Sequence, residues 1–95
     1  MGKTFSRSKK SDSDIAKITK WSLGKFGKNQ TLKYLAGMKD GFQNLADNPK
    51  LGRAYLGYFY YRYESHVIYY RPRKSDIFIT RILHKGMLPE KHIKR

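Results

Sequence analysis

The sequence of 95 residues contains no cysteine. This absence excludes disulfide bonds, thiolate metal sites and cysteine nucleophiles, and it suits the reducing cytoplasm, where we expect the protein to be located. No run approaches the roughly 18 apolar residues of a membrane-spanning helix, and the N-terminal residues lack the apolar stretch of a secretory signal. The three histidines are not closely spaced, so the sequence predicts no metal site and no cofactor.

Acidic residues are also scarce. The chain has 7 Asp and Glu against 21 Lys and Arg, which gives a formal net charge of +14. Repulsion within so basic a chain disfavours the compact state and indicates an anionic partner. Nucleic acid, a nucleoprotein machine, an acidic membrane and an acidic protein all satisfy that requirement. Composition alone does not choose among them.

The first half of the chain predicts two amphipathic helices. Ser11 and Asp14 have the spacing of a capping box, and Ser8 is a second candidate for the N-cap. A helical stripe of apolar residues follows and stops at Gly27, a plausible C-terminal cap. A short extended segment around 4–7 precedes this helix.

The second helix is predicted by apolar residues that recur every three or four positions, which is typical of a core-facing helix. These residues are Leu32, Leu35, Met38, Phe42 and Leu45. Gly37 and Gly41 lie on one side of this helix, where we expect contact with the first helix. Asn48 and Pro49 end it, because the residue before a proline is disfavoured in the α region.

The second half of the chain is typical of β-structure. Strands are predicted over 58–63, 66–71 and 76–84, joined by turns. Strict alternation in the third strand places Ile77, Ile79, Arg81 and Leu83 on one face and Phe78, Thr80, Ile82 and His84 on the other. Both sets are largely apolar, so this strand is expected to be central in the sheet.

These elements predict an α+β fold in one domain, residues 1–95. An N-terminal helical hairpin packs on one face of a small antiparallel β-sheet. A basic C-terminal tail, 85–95, follows, and Pro89 is well placed to start a short helical turn.

Four segments carry a resemblance to a known family. They are 26–30 (FGKNQ), 45–53 (LADNPKLGR), 65–70 (SHVIYY) and 81–87 (RILHKGM). In this order they resemble the helix junction, the helix-to-strand connection and the C-terminal strands of toxins of the ParE family, in the ParE/RelE superfamily. The segment 54–64 departs from the family, since it is shorter and more aromatic than the polar loop usual there.

The resemblance implies the toxin of a type II toxin–antitoxin system. Such a toxin inhibits DNA gyrase, through which an indirect contact with DNA is possible, and is neutralised by the disordered segment of a ParD-like antitoxin. The residues expected to contact the target are Arg81, His84, Lys85, Met87 and Lys91. The residues expected to contact the antitoxin are Trp21, Leu32, Leu35, Tyr58, Tyr60 and Tyr70.

Two alternatives belong to other functional classes. RelE-like relatives cleave mRNA on the ribosome, and such chemistry here would need Arg62, Glu64, Arg81 and His84 as acids, bases and cations. Alternation places Arg81 and His84 on opposite faces, and Glu64 lies in a turn, so a protein-directed poison without catalytic residues is favoured. The third possibility is a harmless basic protein that binds nucleic acid, in which tyrosines stack on bases.

Arg81 and His66 also have purely structural interpretations. A guanidinium within an apolar strand requires an acidic partner, which Asp14 or Asp40 could supply. His66 opens a strand beside a turn, where we expect it to form a hydrogen bond rather than bind a ligand.

Overall fold

The computed structural model describes residues 4–93. One long helical element precedes most of a five-stranded sheet. The elements are β1 (Thr4–Arg7), α1 (Lys9–Asp47), β2 (Arg53–Tyr55), β3 (Tyr58–Tyr63), β4 (His66–Pro72) and β5 (Asp76–His84), with short 3-10 helices at Pro49–Leu51 and Pro89–Lys91. Lys94 and Arg95, the end of the expected basic tail, lie outside the described residues. Within residues 4–93, no helix combines the length and apolar character needed to cross a membrane.

The sheet is mixed. Its strand order is β1-β5-β4-β3-β2. The β1 strand runs parallel to β5, while the other neighbouring strands are antiparallel. The predicted α+β class is therefore confirmed, and so are the three long strands. The β5 strand is interior only over residues 76–79, where β1 pairs with it, and the central strand of the sheet is β4. The prediction of a wholly antiparallel sheet is wrong, because the N-terminal segment adds a parallel strand beyond β5.

The helical element changes direction at Gly27. This residue has φ 83° and ψ 179°, a non-helical conformation inside α1. The two arms, 9–26 and 28–47, lie against each other: Thr31 Oγ1 donates to Ser22 Oγ at 2.8 Å, and the rings of Trp21 and Tyr34 are 6.3 Å apart. The predicted hairpin of two separate helices is not confirmed as such, since the structure has one helical element interrupted at a single glycine.

Ser8 starts this element and ties it to the sheet. Its hydroxyl accepts a hydrogen bond from the Ser11 backbone at 3.0 Å and donates one to the Thr80 carbonyl at 2.7 Å. The Ser8 backbone N–H also donates to Ile79 at 2.9 Å. Ser8 is therefore the N-cap, and the Ser11–Asp14 capping box does not form. Asp14 is left free for the contact with β5 described below.

A bulge divides β5 at Thr80. Tyr70 pairs with Ile79, whereas Tyr69 pairs with Arg81, so one residue of β5 has no partner across the ladder. The alternation of side chains reverses beyond this residue. Ile82 therefore joins Ile77 and Ile79 in the core under α1, and Leu83 packs on the opposite face. The strict alternation predicted for the whole strand is wrong after Ile79.

Two glycines of the second arm face the sheet. A Cβ added at Gly37 would collide with the hydroxyl of Tyr63, and one at Gly41 would lie 3.8 Å from Ile68. The expected contact of these glycines with the first helix is therefore wrong.

The apolar seam of the second arm enters the core only near its C-terminal end. There Met38, Phe42 and Leu45 are buried, whereas Leu35 is half-buried and Leu32 is 56% exposed.

Two glycine substitutions test the turn at Gly27. A Cβ at Gly24 or at Gly27 would meet no atom within 4 Å, so only the backbone conformation differs between the two sites. We expect Gly27→Ala to lower the free energy of unfolding by about 1–3 kcal/mol, because its φ and ψ are reserved for glycine. Gly24→Ala should instead raise it by roughly 0.5–1 kcal/mol. Urea unfolding measures both, and equal effects would contradict the assigned turn.

Candidate partner-binding site

A cavity of about 350 Å³ opens between the first arm of α1, the C-terminal half of β5 and the tail. Its lining combines apolar side chains with polar ones: the former are Ile18, Trp21, Ile82, Leu83 and Met87, and the latter are Lys17, His66, His84, His92 and the pair of Asp14 and Arg81. The cavity exists because the first arm crosses the edge of β5 that β1 leaves open. This region brings together Arg81, His84 and Met87, three of the residues expected to contact the target.

Asp14 holds the wall of this cavity together. Its Oδ2 accepts hydrogen bonds from Arg81 Nε at 2.8 Å and from the Ile82 backbone at 3.0 Å, and its Oδ1 accepts one from Arg81 Nη2 at 2.9 Å. Arg81 Nη1 then donates to the His92 carbonyl at 2.8 Å. One bidentate pair therefore joins the first arm, β5 and the tail. It confirms that Arg81 has a structural carboxylate partner, and it selects Asp14 over Asp40.

The ion pair is shielded from water. The side chains of Arg81 and Asp14 are only 15% and 7% exposed. The hydrogen bonds that Arg81 donates to Asp14, together with the negative charge of that carboxylate, raise the pKa of Arg81, while burial opposes that rise. Arg81 is therefore a fixed cation, each of whose three nitrogens already donates a hydrogen bond within the protein, and it is poorly placed to act on a substrate.

A second cluster forms the other wall. His66 is buried, and its Nδ1 lies 2.7 Å from the hydroxyl of Tyr34, which also accepts from the Ser65 backbone at 3.2 Å. The ring centroid of His66 is 5.3 Å from that of Trp21 and 5.6 Å from that of His84. The expected hydrogen bond of His66 is thus confirmed. Among residues 4–93, no three His, Asp or Glu side chains are arranged to hold a metal ion.

The surroundings of His66 favour its neutral form. Burial, followed by the neighbouring His84, lowers the pKa of His66 to about 4. Burial likewise raises the pKa of the Tyr34 phenol. At neutral pH, both the phenol and the imidazole are therefore uncharged, and one hydrogen bond joins the Tyr34 hydroxyl to His66 Nδ1.

Three of the five residues expected to contact the target line the cavity. They are Arg81, His84 and Met87, and Met87 is 37% exposed. Lys85 is exposed directly after His84, whereas Lys91 is exposed in the tail and is not among the lining residues. Lys17 and His92 were missed by sequence analysis, because only the folded chain brings them to this place.

The residues expected to contact the antitoxin are dispersed. Leu32 is exposed, while Trp21, Leu35 and Tyr60 are half-buried. Tyr58 and Tyr70 are buried, and the Tyr70 hydroxyl donates to the Pro49 carbonyl at 2.6 Å, so these two do not offer a contact surface. Both were expected from the family resemblance, which does not tell which side chains of this chain are buried.

The apolar surface around the turn of the helical element was predicted only in part, since Leu32 alone of its residues was expected to contact a partner. Leu23, Phe26 and Leu32 are all about half exposed and flank the turn at Gly27. Their helical spacing does not reveal that the chain reverses between them.

The residues required for a ribonuclease do not come together. Arg81 and His84 border the cavity, but Arg62 and Glu64 are not among its lining residues. Arg62 Nε donates to the Glu64 carbonyl at 3.1 Å, and Glu64 lies in the exposed β3–β4 turn with φ 52°. The four side chains therefore form two separate groups.

The α+β fold is that of a known toxin–antitoxin structure. A chain of the solved "Chromosomal ParDE TA system from P. aeruginosa" superposes with a TM-score of 0.74 at 17% sequence identity, covering 86% of this chain and 95% of that one. At this identity, the likeness shows the fold alone. Curated protein sequences give no significant match.

The family follows from the sequence model of ParE toxins of the type II toxin–antitoxin system parDE, which matches residues 6–89. Because this match spans most of the chain, the chain belongs to the ParE toxin family. The matched region contains the cavity wall formed by Asp14 and Arg81 and the exposed end of β5.

Removal of the Asp14 charge tests its structural role. We expect Asp14→Asn to lower the free energy of unfolding by about 3 kcal/mol, because it leaves the Arg81 charge without an anionic partner. The matched control is Asp12→Asn, which breaks an exposed pair with Arg7 of 3.1 Å and should cost less than about 1 kcal/mol. Comparable losses for the two variants in urea unfolding would contradict the role of Asp14.

The pKa of His66 makes stability depend on pH. As the pH falls from about 6.5 to about 4, the unfolded chain binds a proton at His66 that the folded chain refuses, so the folded state is progressively disfavoured. Over this pH range, we expect the wild type to lose on the order of 2 kcal/mol of its free energy of unfolding through His66, and we expect His66→Gln to abolish that loss. Unfolding is measured at both ends of the range, with His92→Gln as the control. If His66→Gln lost as much stability over this pH range as the wild type does, the lowered pKa could not belong to His66.

Proposed function

We propose that the chain inhibits DNA gyrase and that a ParD-like antitoxin neutralises it. The observation that supports this proposal best is the exposed end of β5, where Lys85 and Met87 follow His84 beside the cavity. The Asp14–Arg81 pair anchors this segment, so cationic and apolar groups are presented on a rigid support. Membership in the ParE family makes gyrase the favoured target. The proposal implies a cytoplasmic protein of a single toxin domain that meets DNA indirectly, as part of the gyrase–DNA complex.

The antitoxin is expected to be acidic and amphipathic. A net charge of +14 favours an acidic partner, and Leu23, Phe26 and Leu32 provide apolar surface around the turn of α1. A disordered segment could fold over these groups and gain both charge neutralisation and burial. Trp21, Leu35 and Tyr60 remain further proposed contacts.

Purified components test the target. We expect the protein to inhibit supercoiling by gyrase and to increase the amount of cleaved DNA, while in vitro translation continues. The variant Lys85→Gln/Met87→Gln should be about ten-fold less potent, the effect of losing roughly 1.4 kcal/mol of binding. Lys50→Gln, a change at an exposed lysine in the 3-10 helix Pro49–Leu51, is the control.

Two results would contradict the proposal. Arrested translation with unaffected supercoiling would favour the RelE-like ribonuclease. Normal growth of cells that overproduce the protein without an antitoxin would favour a harmless nucleic-acid-binding protein.

A further inference from the structure

We propose that the face of the sheet opposite α1 binds single-stranded DNA. This inference goes beyond the proposed inhibition of gyrase and concerns another surface. We call it the tyrosine–arginine face. It consists of Arg53, Tyr55, Tyr60, Arg62, Val67 and Arg71, which alternation along β2, β3 and β4 places on the side of the sheet away from α1.

Aromatic rings form the centre of this face. Strand register places Arg53 opposite Tyr60 and Tyr60 opposite Tyr69. The Tyr60 ring centroid lies 6.3 Å from that of Tyr55 and 6.3 Å from that of Tyr69. Tyr69 is buried, whereas Tyr55 and Tyr60 are half-buried. The sheet therefore supports two partly accessible phenol rings on a packed aromatic base.

Exposed arginines surround these rings. Arg53, Arg62 and Arg71 are all exposed, and none takes part in an ion pair among residues 4–93. The carboxylate of Glu90 lies at the margin, where it accepts a hydrogen bond from the Tyr55 hydroxyl at 3.0 Å. Three cations without acidic partners give the face the charge that a phosphodiester backbone requires.

The combination of rings and cations favours an unpaired strand. A phenol ring can stack on a base only when that base has left the duplex, and such stacking tolerates any sequence. Residues two apart on one face of a strand are separated by roughly 6.6 Å, so Tyr60 and Arg62 can contact a base and a neighbouring phosphate. A duplex would use the arginines but not the rings.

The apolar character of the face favours DNA over RNA. Val67 lies opposite Arg62 and is half-buried, and it packs on Tyr58, Tyr69 and Leu83, which are themselves buried. A ribose 2′-hydroxyl placed against Val67 would lose its water without gaining a hydrogen bond. A deoxyribose does not have this cost.

Fluorescence anisotropy with a labelled oligothymidylate of about 12 nucleotides tests the proposal. We expect Tyr60→Leu to weaken binding about five-fold or more, because a stacking ring is lost. The matched control is Tyr61→Leu, the adjacent half-buried tyrosine that packs under α1, and it should change binding less than about two-fold. Tyr60→Phe, which keeps the ring, should bind like the wild type.

Salt dependence tests the charged part of the face. Arg53→Gln should reduce the slope of log affinity against log salt by about 0.7, whereas Lys28→Gln on the helical element should leave it unchanged. Thermal unfolding checks that each variant folds. If Tyr60→Leu does not fold, Arg53→Gln still tests the proposal, because Arg53 is exposed and its replacement should not disturb the fold.

Three outcomes would overturn the inference. The first is equal weakening by Tyr60→Leu and Tyr61→Leu, or by Arg53→Gln and Lys28→Gln, since the binding would then not depend on this face. The second is equal or tighter binding of duplex DNA, and the third is equal or tighter binding of oligouridylate. None of these results affects the gyrase assay, so the two proposals can fail separately.

Discussion

The carboxylate of Asp14 is the contact on which the arrangement of this molecule depends. It accepts three hydrogen bonds, two from the Arg81 guanidinium and one from the Ile82 backbone, and through Arg81 it reaches the tail at His92. Without it, the open edge of β5 beyond Ile79 would have an unpaired backbone donor beside a buried cation. The first arm of α1 is therefore held across the sheet edge by a directional interaction, and the cavity between them keeps its shape.

The bulge at Thr80 makes this arrangement possible. Because the alternation reverses there, the strand can place Ile77, Ile79 and Ile82 under α1 while Arg81 emerges at the sheet edge within reach of Asp14. A regular strand would bring the Arg81 side chain into the apolar core. The Ser8 cap supports the same junction, because its hydroxyl donates to the carbonyl of Thr80 itself. The start of α1, the bulge of β5 and the ion pair of Asp14 with Arg81 thus lie within one small region.

The pattern of residues predicted the class of fold, the long strands and a carboxylate partner for Arg81, because these depend on local periodicity and on the cost of burying a charge. It did not predict the parallel pairing of β1, the bulge at Thr80 or the hydrogen bond of Ser8 to Thr80, since each depends on contacts between distant segments. The same dependence on distant contacts explains why the candidate site was predicted only in part. His84, Lys85 and Met87 are consecutive or nearly so, whereas Lys17 and His92 join them only through the fold.

Membership in the ParE family indicates the fold of this molecule, whereas its exposed side chains determine which partners it can bind. The ParE match establishes what kind of toxin fold the chain has, but a fold does not determine its target. The groups that a partner can reach are separated: His84 and Met87 lie at the cavity, Leu23 and Phe26 at the turn of α1, and Arg53 and Tyr60 on the tyrosine–arginine face. Because Arg81 is neutralised within the protein, the positive charge available to partners comes from the other cations. Changes in surface residues can therefore alter the choice of partner while the Asp14–Arg81 contact preserves the fold.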